Sequence, residues 1–262
     1  MKYAVTLSVL TALLVAGPAD GQNTDAADIA RQAERIATYQ GDDGRARVAM
    51  EIIDKQGRTR MRKDDLANNV ETGDQRFFVY FHAPSDVRDT VFMVWKRQVS
   101  DDDRWLYLPA LDLVRRIAAG DERSSFVGSD FYYEDVSGRS AEEDTHLLQD
   151  TTDTYFVLKS APKDPSQVEF AYFVSYIHKE SYLPVQIEYY QSDGTKYREY
   201  TAEAVETIQG YPTVTRATMK DVLDGGQTTL TYSQIEYDIG LSEDIFTERY
   251  LRNPPRQYLG ED

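Results

Sequence analysis

The sequence predicts a mainly β protein. Its expected form is a curled antiparallel sheet of about ten or eleven strands, an incomplete half-open barrel with one N-terminal helix and a central flap. Three observations carry this. Nineteen tyrosines and ten phenylalanines in 262 residues favour strands. Short apolar stretches recur between Gly, Pro, Asn and Asp turns along most of the chain. Around Trp95 and Trp105 both alternating faces are apolar, which a sheet covered on one side would not require.

In chain order, residues 1–21 read as a secretory signal peptide: Lys2, an apolar run from Tyr3 to Val15, then the small residues Ala16, Gly17 and Ala19. That run is too short for a stable bilayer anchor. The chain has no cysteine, hence no disulfide, thiolate metal site or lipid-attachment cysteine. Residues 22–262 are expected to form one exported domain. A net charge of −16 argues against nucleic acid and against anionic membrane surfaces as partners.

Residues 24–40 read as a helix. Asn23 or Thr24 can cap it, Asp25 and Asp28 suit its first turn, and Gly41 can end it. Its apolar stripe (Ala26, Ile29, Ala30, Ala33, Ile36, Ala37) is modest, so the helix needs an apolar surface yet could lift from it. Strands are expected at 45–52, 58–66, 75–82, 90–97 and 104–108, the last stopped by Pro109, with a return at 114–117. The second half repeats this style at 145–148, 154–160, 168–178, 184–191, 196–205, 213–222 and 228–237, with Asp193-Gly194 as a hairpin signal. Residues 241–246 read as a short capped helix.

Between the halves lies an odd loop. Ser124, Ser125, Gly128 and Ser129 let the backbone bend, while Phe126, Phe131, Tyr132 and Tyr133 demand something apolar. It is either a loop tucked onto its own core or a flap over a cavity. In the second reading one apolar cavity is lined from Phe77, Val79, Phe81, Phe92, Val94, Trp95, Trp105, Leu106 and Leu108, together with Phe126 and Phe131. Which alternating face points inward stays open, because a one-residue slip exchanges them.

No constellation for catalysis stands out. His82, His146 and His178 lack metal-ligand spacing, and no nucleophile elbow or phosphate loop is present. No cofactor or metal is expected. Arg115 and Arg116 could meet a phosphate or carboxylate at a cavity mouth, or form a salt bridge to Asp130, Glu134 or Asp135.

The run W-L-Y-L-P-A-L…V-R-R-I…S-S-F-V-G-S-D-F-Y-Y-E-D-V from Trp105 resembles the outer-membrane lipoprotein-sorting proteins, the LolA-like carrier superfamily. F-H-A-P-S-D-V-R-D-T-V-F from Phe81, Leu183-Pro184 and the closing L-S-E-D-I-F-T-E-R-Y-L extend the similarity. It implies an incomplete barrel with a helical lid, an apolar cavity for lipid or lipoprotein acyl chains, a periplasmic location, and neither enzyme activity nor cofactor. Such proteins are associated with transporters of the resistance-nodulation-division type, which implies a membrane exporter as partner. The alternative is a non-catalytic adaptor of an envelope exporter that binds protein rather than lipid. A lipid hydrolase is disfavoured for want of a nucleophile–base pair.

Overall fold

The computed structural model describes residues 20–37, 40–54, 57–69, 73–97 and 100–259. The expected signal peptide lies outside them up to residue 19. Helix α1 (Asp20–Ala37) starts four residues before Thr24, so Asn23 and Thr24 lie within it rather than capping it.

A first meander follows: β1 (Asp43–Asp54), β2 (Gly57–Asn69), β3 (Gln75–Ala83), β4 (Val91–Lys96), β5 (Asp103–Leu108) and β6 (Leu113–Ile117). After a connection that holds the short helix α2 (Tyr133–Ser137), a second meander begins. It comprises β7 (Asp144–Thr151), β8 (Tyr155–Pro162), β9 (Tyr172–His178), β10 (Pro184–Tyr190), β11 (Lys196–Ile208), β12 (Tyr211–Asp221) and β13 (Gln227–Tyr237). Helix α3 (Glu248–Arg252) lies in the tail, just after a single helical turn at Glu243–Ile245 capped by Ser242.

Thirteen strands thus stand where a total of about ten or eleven was expected, and each overlaps one of the stretches read as strand from the sequence. They form one antiparallel sheet in the order β6-β5-β4-β3-β2-β1-β13-β12-β11-β10-β9-β8-β7. The two meanders therefore join through β1 and β13, while β6 and β7 are the free edges. Phe77 on β3 and Phe173 on β9 are seven strand steps apart, roughly 34 Å if the sheet were flat. Both line one cavity, so the sheet curls.

Each face carries its own core. The inner face buries Val48 and Met50 of β1, Phe77, Val79 and Phe81 of β3, Phe92 and Val94 of β4, and Leu106 of β5. The outer face buries Phe78, Tyr80, Val91 and Met93 under the tail residues Leu241, Ile245, Phe246 and Leu251. Strand β4 is therefore apolar on both faces because both are covered.

Candidate functional site

The 26-residue connection between β6 and β7 has to cross from one sheet edge to the other, and it does so over the inner face. Its folded shape comes from local bonds. The Phe126 N–H donates to the Phe131 carbonyl at 2.8 Å, and the Ser129 N–H and hydroxyl donate to the Phe126 carbonyl at 3.0 and 2.7 Å. Gly128 supplies a left-handed turn at φ 81°, and Val127 sits beside it at φ 47°, a region that opposes its branched side chain. Phe126 then drops between Phe81, Phe92 and Tyr133, 1 % exposed.

The loop is also fastened from the second meander. Arg198 of β11 donates to the Asp130 carbonyl at 2.8 Å and pairs with Asp135. Thr228 of β13 donates to the Asp130 carboxylate at 2.6 Å. Arg123 pairs with Glu134 and Glu169 and lies over the Tyr132, Phe170 and Tyr189 rings. Loop and α2 thus plug the half of the barrel under β3–β5.

The other half stays hollow. A cavity of about 320 Å³ lies between the inner face of β1–β3 and β8–β13, the connection, and α1. That is at the lower end of the volumes of small-molecule pockets, about 300–1,000 Å³. Met50, Phe77, Ile177, Ile187, Met219 and Leu230 give it apolar walls. Helix α1 roofs it with Ala30, Ala33, Ile36 and Ala37. Its small residues Ala26, Ala30 and Ala33, together with Ile29, pack against Leu158 and Ile177. Polar contacts hold this roof: the Glu34 carboxylate takes the Ala141 N–H at 2.8 Å and lies 3.2 Å from Lys96 Nζ, and on the exposed side Arg31 donates to Glu142 at 3.1 Å. Lys96, buried on β4, also donates to the Gly138 carbonyl at 2.9 Å.

Polar groups reach the cavity at two places. Beside the connection, Arg139 binds Asp144 at 2.9 Å, Glu134 at 2.9 Å and Glu143 at 2.7 Å. Glu122, Glu134 and Glu143 converge nearby, with Arg104, Arg123 and Arg139 as their counter-charges. His146 faces the cavity with its Nε2 2.9 Å from the Ala141 carbonyl and its Nδ1 2.7 Å from Ser160 Oγ. A carbonyl only accepts, so Nε2 carries the hydrogen and the Ser160 hydroxyl donates to Nδ1. This is a nucleophile–base contact in form, and Ser160, 1 % exposed, borders the same cavity. The second polar place is the floor, where Lys63 and Asp65 of β2 meet Tyr200 and Tyr232.

Of the residues expected at the lining, Phe77, Phe126 and Phe131 border the cavity. Val79, Phe81, Phe92, Val94 and Leu106 share their face but are covered by the loop aromatics, with Leu108 packed at the margin. Trp95 and Trp105 point to the outer face: their rings meet at 5.6 Å, and Trp95 donates to the Phe246 carbonyl at 2.7 Å. Alternation with Phe92, Val94 and Leu106 puts them there. Arg115 and Arg116 are exposed on edge strand β6 and pair with Asp121 and Asp103, not with Asp130, Glu134 or Asp135 and not at the cavity. About two fifths of the actual lining comes from β9–β13, strands in which the sequence singled out no lining residue.

A family model described as an uncharacterized protein matches residues 73–253. A crystal structure of a DUF1329 family protein from Desulfovibrio piger ATCC 29098 is 26% identical at a TM-score of 0.79 and covers 88% of this chain and 99% of its own. The chain belongs to this DUF1329-like family. A domain from Vibrio parahaemolyticus assigned to outer membrane lipoprotein sorting is also 26% identical, with a TM-score of 0.79, over 87% of this chain and 99% of its own. A LolA superfamily protein from Nitrosomonas europaea, 21% identical over 86% of this chain and 98% of its own, shares the fold at a TM-score of 0.66. No curated protein sequence matches the chain. This chain thus shares its curled-sheet fold with that LolA superfamily protein, and in it the β6–β7 connection plugs part of the inner face. No helix among the described residues is long and apolar enough to cross a membrane.

Proposed function

We propose that this protein is a periplasmic carrier that shelters an acyl chain of a lipid or lipoprotein in the half-barrel cavity. The observation that carries this is the hollow half of the inner face, apolar over most of its walls and roofed by a helix of small residues. Each methylene moved from water into such walls contributes roughly 0.8 kcal/mol, so a chain is held without covalent chemistry. The lipoprotein-sorting assignment of the Vibrio parahaemolyticus domain supports the same reading, and the carrier-type fold points to binding rather than catalysis. The signal-like residues 1–21 accord with export, and the family resemblance makes a membrane exporter the partner that would load or unload the cargo.

Cargo would enter beneath α1 rather than through the plug. The plug is fastened by the buried Arg198 and Thr228 and by Arg123, while α1 rests on small side chains, the Glu34 clasp and an exposed Arg31–Glu142 pair. The test is native mass spectrometry with lipid extraction, on protein purified from several hosts. Near-stoichiometric lipid that leaves on mild delipidation and rebinds is the expected result. Protein that is lipid-free from every host and takes up no acyl probe would overturn it and leave the protein-binding adaptor.

A further inference from the structure

The floor of the cavity carries chemistry that an acyl chain alone does not use. Lys63 and Asp65 stand on the inner face of β2, 2 % and 8 % exposed. The ammonium lies 2.6 and 2.5 Å from the two carboxylate oxygens. An isolated ion pair in apolar surroundings adds little to stability, because desolvation of both charges offsets their attraction. Register places Lys63 opposite Val48 of β1, and Val48 opposite Tyr232 of β13. Lys63 and Tyr232 therefore lie in one row, two strands apart.

Tyr232 and Tyr200 both line the cavity. Neither hydroxyl has a hydrogen-bond partner among the described residues, and burial, not bonding, sets their acidity. Burial lifts the Tyr200 phenol above its ordinary range, and it lifts Tyr232 well above, with Asp65 and Tyr200 adding to the effect. Both phenols are partly buried and present their O–H groups to the cavity without a protein acceptor, so they favour a ligand that brings an oxygen between them.

We propose that this floor is a recognition site for a neutral carbonyl group carried by the acyl ligand, an ester or an amide, with Tyr200 and Tyr232 as donors. The Lys63–Asp65 pair sets the charge preference. Lys63 is already neutralised by two short bonds, so an incoming carboxylate would meet Asp65 without a free counter-charge. A neutral carbonyl takes the two O–H donors and meets no such repulsion. The ligand is then an ester- or amide-linked chain whose linkage descends to the floor, rather than a free fatty acid.

This inference rests on the acyl-carrier reading, and one competition experiment separates the two. A fluorescent alkyl probe bound to the full chain is displaced by dodecane, dodecanoate, methyl dodecanoate or N-methyldodecanamide. The ester, the amide or both should bind about tenfold more tightly than dodecane and dodecanoate. The arm that gains more distinguishes an ester-linked lipid from an N-acylated chain end. Tyr232→Phe and Tyr200→Phe should each abolish most of that preference while leaving dodecane binding and thermal melting unchanged. If dodecane displaces the probe and the carbonyl ligands gain nothing over it, the floor site is overturned and the carrier reading stands. The floor site is equally overturned if dodecanoate is the tightest ligand, or if both Phe variants weaken all four ligands alike. If no chain-bearing ligand binds, both readings fall.

Discussion

Phe126 shows how one residue type serves two opposite readings. An aromatic between small residues fits a mobile flap as well as a buried anchor, and the sequence near it is the same in both cases. What decides is distant: Arg198 and Thr228, on strands far along the chain, hold Asp130 and so fix the loop. With its ring against Phe81, Phe92 and Tyr133, Phe126→Ala should cost about 3–5 kcal/mol in chemical denaturation. A loss below ~1 kcal/mol would mean that the loop is not part of the core. Glu122 gives a second prediction at this scale. Burial lifts its carboxyl to about 7 against the pull of Arg104, with Glu134, Glu143 and Asp102 adding to the rise. The folded protein then keeps a proton that the unfolded chain has released, so this group makes stability fall as pH rises from about 4.5 to about 7. Glu122→Gln should remove that slope. Denaturation curves of both proteins across this range check it, and parallel pH profiles would contradict it.

At the scale of elements, the strands were legible because Gly, Pro and Asp turns punctuate them and Pro109 stops β5 where expected. Two-sided burial was legible as well, from the run Val91–Lys96, although the partners on its outer face come from the tail. The role of the β6–β7 connection as a plug was not legible. It follows from the connection having to span the open edges, a property of strand order rather than of local sequence. Helix α1 was readable as a small-residue stripe, but nothing in the sequence singles out Glu34, whose partners Lys96 and the Ala141 N–H lie far along the chain. Glu34→Ala should loosen the roof. Amide exchange in α1 should speed up well before that of β1 or β13, and acyl-probe release should be faster. Unchanged exchange in α1 would show that the clasp does not hold it.

For the whole molecule, curvature is the property that links fold to function. Strand alternation alone gives two apolar faces. Curling brings β3 within reach of β9, so that one face encloses a volume while the tail seals the other face behind β2–β5. The aromatic richness announced the sheet, yet the two tryptophans, its most conspicuous residues, lie on the sealed face. The central claim is that an acyl chain occupies the hollow half under α1. The most direct test is photolabelling with a fatty-acyl chain carrying a diazirine near its end, followed by peptide mapping. The label should fall on cavity residues such as Met50, Phe77, Ile187 and Leu230 and on the inner side of α1. Labelling confined to the exposed Leu111, Leu113 and Leu223, with the cavity residues untouched, would contradict the carrier account.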